Sequence, residues 1–140
     1  MIYLLNMRTL VISLILTFTL SAGIAAQSGS LVIPGEKHLA NIKQLTFGGE
    51  NAEAYFSFDG KQLIFQSKRD GRACDQIYSM NTDGSNVKMV SNGDGRTTCS
   101  YFFKGGKKVL YASTFGGKRE CPPEPDRSKG YVWPVYAEYD

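Results

Sequence analysis

Three observations predict an all-β fold. Apolar residues alternate with polar ones, or run for only a few positions, between clusters of Gly, Asp and Asn, and no window carries a helical stripe. Asp-Gly pairs at Asp59-Gly60, Asp70-Gly71 and Asp83-Gly84 supply the positive φ that tight turns require. Finally, the chain nearly restates itself at an offset of 46 residues (101 − 55 = 46). Tyr55-Phe56 falls on Tyr101-Phe102, Gly60-Lys61 on Gly106-Lys107, Leu63-Ile64-Phe65 on Val109-Leu110-Tyr111, Ser67 on Ser113 and Gly71 on Gly117. A period of roughly 40 to 50 residues made of short strands and Gly-rich turns is the signature of β-propeller blades, four-stranded antiparallel sheets whose faces are covered by their neighbours. About one full blade and part of a second are expected.

The elements follow in order. Residues 9–20 form a run of apolar and hydroxyl residues, preceded by Arg8 and followed by Ser21-Ala22-Gly23-Ile24-Ala25-Ala26. This reads as a signal peptide, residues 1–25, cleaved after Ala25 with Ala26 as the alternative. About 12 residues are short for a membrane span, so no span is expected after cleavage. Residues 26–40 read as a linker. Strands are expected over 53–57, 62–67, 76–80 and 87–90, completing a blade across 46–90. A second blade over 91–140 begins with strands at 98–103 and 108–113, leaves the pattern for a Pro-, Gly- and charge-rich insert at 114–134, and resumes a third strand near Val135.

Asn41-Ile42-Lys43-Gln44-Leu45 matches Asn86-Val87-Lys88-Met89-Val90, so 41–45 reads as an outer strand without a blade of its own. About two blades cannot close a ring that needs four to eight, and the chain is therefore expected to be the N-terminal part of a longer, monomeric propeller. The competing expectation is a small protein that closes by oligomerisation.

Composition narrows the partners. The chain of 140 residues has 16 Lys and Arg against 13 Asp and Glu, and removal of Arg8 with the leader leaves 15 − 13 = +2. That balance, scattered through turns, does not predict nucleic-acid binding. Export to the periplasm or outside the cell implies an oxidising compartment for Cys74, Cys99 and Cys121.

The string from Ala54 through Phe58-Asp59-Gly60-Lys61 to Leu63-Ile64-Phe65 and Ser67, with Arg69-Asp70-Gly71 and Ile77-Tyr78-Ser79-Met80-Asn81-Thr82-Asp83-Gly84-Ser85, resembles the TolB-like β-propeller repeat. That repeat reads approximately S-P-D-G-K, an apolar strand, S-x-R-D-G, then I-Y-x-M-x-x-D-G. Phe58 departs where Pro is usual, and Lys104-Gly105-Gly106 replaces Pro-Asp-Gly in the second, looser match. The resemblance covers residues 37–113. It implies an exported propeller used as a binding platform for a protein or a cell-envelope polymer. The same repeat precedes the hydrolase domain of prolyl-oligopeptidase-type peptidases, so the alternative implied is the propeller part of a secreted serine peptidase.

Catalytic constellations are not found in the sequence. No G-x-S-x-G elbow or phosphate-binding loop occurs, and His38, the sole histidine, sits beside Glu36 and Lys37 as a solvated or locally bonded side chain. Asp59, Asp70, Asp83 and Asp94 each precede Gly, so turn formation accounts for them without catalysis or calcium. No catalytic, metal or cofactor residue is assigned, and zinc lacks a C-x-x-C spacing. In a four-stranded blade the loop after the second strand and the approach to the next blade's first strand share one end, which brings the three cysteines to one face. A Cys74–Cys99 disulfide is the first expectation, Cys99–Cys121 the second, and free buried thiols the third. The same face carries the insert, where Arg119, Arg127, Tyr131, Trp133 and Tyr136, with Tyr139 nearby, either form a recognition surface or pack under their own loop.

Overall fold

The computed structural model describes residues 31–139, and its chain divides into two units, 1–42 and 43–140. The expected signal peptide and the first linker residues lie outside the described residues. In the first unit, residues 31–42 form no strand. Glu36 N donates to Ile33 O at 3.0 Å, and Glu36 Oε1 accepts from Leu39 N at 3.1 Å and from His38 N. These amide bonds, His38 first, hold the Glu36 carboxyl below its usual range.

The second unit is all-β. Its strands are β1 (Glu50–Phe56), β2 (Gln62–Lys68), β3 (Gln76–Asn81), β4 (Lys88–Met89), β5 (Thr97–Phe102) and β6 (Val109–Ser113). The first four make an antiparallel sheet in the order β1-β2-β3-β4, and β5 pairs with β6 in a second sheet. Hairpin chemistry sets the first register. Ser57 Oγ donates to Asp59 Oδ1 at 2.7 Å and accepts from Gln62 N at 2.9 Å, while Gly60 takes φ 68° and its N–H donates to Ser57 O. The β3–β4 turn works alike: Ser85 N donates to Asp83 Oδ1 at 2.8 Å, and Gly84 N to Asn81 O.

Both middle strands bury both of their faces. One face of the first sheet gathers Leu63, Phe65, Tyr78 and Met80, with Leu45 and Met89 packed against them. The Arg69 guanidinium lies 5.5 and 5.4 Å from the Phe65 and Tyr78 ring centres. The other face gathers Ile64 and Ile77, and it is covered by Phe102, Val109 and Tyr111 of the second sheet together with Val90. Full burial of an aliphatic side chain contributes about 1.5–3 kcal/mol, so Ile64 and Ile77, both wholly buried, fasten the two sheets face to face. β1 is exposed along its whole length.

β1 and β5 each carry a bulge. The β1 register shifts between Ala52 and Tyr55, and the β5 register between Thr98 and Tyr101. Glu53 and Cys99 sit there in the left-handed region, with φ 50° and 51°. An extra residue on one strand leaves the partner's alternation intact while reversing the side on which the following residues fall.

Two expected strands are absent. Residues 41–45 form no ladder; within the second unit, Leu45 is instead half-buried against the Leu63–Phe65 face, which gives its apolar side chain a burial site without a partner strand. Near Val135 the chain turns instead of extending. Tyr139 N donates to Tyr136 O at 2.8 Å, and the backbone passes so close to Gly117 that a Cβ there would lie 2.5 Å from Glu138 O.

Candidate functional site

Three segments meet at the end of the sheets opposite the Asp59-Gly60 turn: the β2–β3 loop, the connection from Ser91 to β5, and the chain after β6. Their junction rests on Gly95. With φ 61°, its N–H donates to Arg119 O at 2.7 Å and its carbonyl accepts from Gln76 Nε2 at 2.8 Å. A Cβ at this position would come within 2.7 Å of Thr114 Oγ1 and 2.9 Å of Phe115 N, so only glycine lets the three segments close.

A buried polar chain supports the junction from below. Ser91 Oγ donates to Gln76 Oε1 at 2.7 Å and accepts from Ile77 N at 3.0 Å, which leaves the Gln76 amide satisfied at both ends although only 1% of the residue is exposed. Thr97 N donates to Asp75 O at 3.0 Å. Burial pushes the Asp75 carboxyl up, and the Arg96 guanidinium offsets part of that rise. Arg96 in turn reaches Glu124 Oε1 at 2.7 Å, and Glu124 also faces Arg127 at 3.9 Å.

The disulfide joins Cys74 to Cys121, with Cα atoms 5.9 Å apart, and Cys99 is a free, exposed thiol. This corrects both pairings expected for Cys99. Cys74 Sγ lies 3.1 Å from Gly95 O, whereas Cys99 is four extended residues further on, roughly 13 Å away at strand rise. The bulge also turns Cys99 outward, and its N–H is held by Gln66 Oε1 at 3.2 Å; the same oxygen accepts from Thr98 Oγ1.

The expected recognition residues separate into two groups. Tyr131 and Trp133 are 79% and 74% exposed, so they do not pack under the loop. Tyr136 does turn inward, donating its hydroxyl to Pro123 O at 3.3 Å and meeting the Tyr139 ring edge-on at 6.0 Å. Arg127 faces Glu124 at 3.9 Å, while Arg119 stands 5.6 Å over the Phe115 ring and 3.9 Å from Asp94. A cavity of about 340 Å³ lies beside the disulfide, walled by Asp70, Arg72, Gln76, Gly93, Gly95 and Arg119. Arg72, Gly93 and Gly95 were not among the residues singled out from the sequence. The available signal was a pair of Arg-x-Cys triplets, Arg72-Ala73-Cys74 and Arg119-Glu120-Cys121, set 47 residues apart (119 − 72 = 47).

No family model matches the chain, and no solved structure matches its fold.

Proposed function

We propose that this chain is part of an exported, TolB-like β-propeller that works as a binding module, recognising a protein or a cell-envelope polymer through its disulfide-bearing end, and that it is not an enzyme. The observation that carries the binding reading is the pairing of a tethered loop with unsatisfied aromatic surface: residues 114–134 are tied down through Cys121, yet Tyr131 and Trp133 face water. Large aromatic groups held on an anchored loop bury area on binding at a low cost in lost freedom.

Several features support the propeller reading. The two hairpins carry bulges 46 residues apart (99 − 53 = 46), their turn glycines Gly60 and Gly106 share φ 68° and 69°, and Tyr55↔Ile64 recurs as Tyr101↔Leu110. The sheets also stack face to face, as adjacent blades do. On the second sheet Leu110, which takes the place of fully buried Ile64, is 60% exposed, consistent with a face that a further blade covers in the parent. A disulfide is compatible with a periplasmic or secreted location.

Photo-crosslinking tests the reading. A photoreactive residue at position 131 or 133 should give one dominant adduct in the cell envelope, and the same residue at Lys61, on the opposite end, should not. Equal adducts from both ends would defeat the assignment. A G-x-S-x-G elbow with a later Asp and His in the frame beyond Asp140 would replace it with the peptidase alternative.

A further inference from the structure

Resting on the reading of this end as the recognition face, we propose that the cavity beside the Cys74–Cys121 disulfide is a carboxylate-binding subsite, in which Arg72 and Arg119 hold a carboxylate presented by a partner polypeptide. The disulfide brings the two Arg-x-Cys triplets together, and Arg72, Arg119 and both cross-linked cysteines line the same cavity.

Both guanidinium groups have donors to spare. Among the described residues, Arg72 makes a single hydrogen bond, Nη1 to Gly93 O at a long 3.4 Å. Arg119 is 76% exposed at its side chain, and its ion pair with Asp94 is 3.9 Å long. An exposed pair of that length holds its members weakly, so Arg119 is available to a better acceptor. Arg69, two residues after the Ser67 that it contacts, shows the opposite case: it donates to Gly48 O, Asn51 Oδ1 and Ser67 Oγ at 3.0, 2.9 and 3.0 Å and has little left to offer.

The acidic neighbours choose the ligand. Asp70, on the cavity wall, accepts from Tyr78 Oη at 3.0 Å, and Asp94 adjoins Arg119. Two nearby carboxylates repel a dianion more than a monoanion, and the planar fork of an arginine matches the two oxygens of a carboxylate. At about 340 Å³ the cavity admits one side chain or a chain terminus.

The test is an amide-shift titration of the oxidised full chain with three N-acetylated tripeptides: Ala-Ala-Ala with a free C-terminus, Ala-Glu-Ala-amide and Ala-Gln-Ala-amide. Saturable shifts at Gly93 and Gly95 are expected with one or both carboxylate peptides, and which one responds identifies a terminal or a side-chain carboxylate. Arg72→Gln and Arg119→Gln should each weaken binding about tenfold, with Arg72→Lys intermediate and the remaining amide spectrum unchanged as proof of folding. Equal response to the Gln peptide, unchanged affinity in the Arg72→Gln/Arg119→Gln variant, or tighter binding of inorganic phosphate would each overturn the subsite. Absent peptide binding with intact crosslinking at 133 removes the subsite and leaves the recognition face; peptide binding without that crosslink keeps the carboxylate chemistry and removes the face.

Discussion

Glu53 and Cys99 occupy the same backbone state at the same point of two hairpins, φ 50° and 51°, each at the residue where its strand gains one position on its partner. Neither is glycine, so each strand holds a conformation that costs an L-residue roughly 1–2 kcal/mol. Glu53→Gly and Cys99→Gly should therefore raise stability by about 1 kcal/mol apiece, and Cys99→Val should lower it by at least as much. Urea unfolding of the three variants checks the prediction. A loss of stability in both glycine variants would contradict the bulge geometry.

The Gln76–Ser91 pair is expected to be worth more than its surface counterparts. Ser91→Ala deprives the buried Ile77 N–H and Gln76 Oε1 of their common partner, which should cost about 1–3 kcal/mol. Ser85→Ala, which removes the exposed acceptor of Asn81 Nδ2 in the β3–β4 turn, serves as the comparison and should stay within about 1 kcal/mol of the parent. Equal effects in thermal melts would show that the buried chain is not the junction's support.

Thiol mapping settles the connectivity. Alkylation of the unreduced, folded protein should label Cys99 and leave a Cys74–Cys121 cross-linked peptide pair in the digest. Closing 47 residues of chain stabilises by about 4 kcal/mol on the chain-entropy account, so Cys121→Ser should lower the melting temperature markedly and Cys99→Ser hardly at all.

Asp75 gives a pH signature. Burial raises its folded carboxyl above the unfolded value, so the folded state binds this proton more tightly, and the stabilisation is fully present below the unfolded value and lost as pH rises through the folded one. Asp75→Asn should accordingly raise the melting temperature at neutral pH and leave it nearly unchanged well below the carboxylate range. Asp59 behaves oppositely: its bond from Ser57 holds its carboxyl low, and that support is lost as the pH falls through the folded value. A neutral-pH loss in Asp75→Asn would mean that Arg96 attraction outweighs burial.

Local instructions made the hairpins readable. β2 was expected over 62–67 and spans Gln62–Lys68, because its apolar run and the Asp-Gly turns on either side fix both face and ends. β1 was expected over 53–57 and spans Glu50–Phe56; its first residues carry no apolar alternation, and they pair only because Lys68, Ser67 and Gln66 offer a ladder. The bulges were illegible for a similar reason, since Glu and Cys do not announce positive φ. The cysteine pairing failed with them: placing Cys99 at the sheet end ignored how far into β5 the bulge carries it. Tyr131 and Trp133 were legible as an aromatic cluster, but whether they faced inward depended on Tyr136 alone finding Pro123 and Tyr139.

The Cys74–Cys121 bond also determines where a pull would be felt. Tension applied at Trp133 travels back along the loop to Cys121 and crosses there to Cys74, two residues before β3, whose side chains are buried from Gln76 through Met80. The load therefore reaches the well-buried β3 without passing through β6, which among the described residues pairs only with β5. Force applied at the aromatic tip is thus felt at the centre of the first sheet.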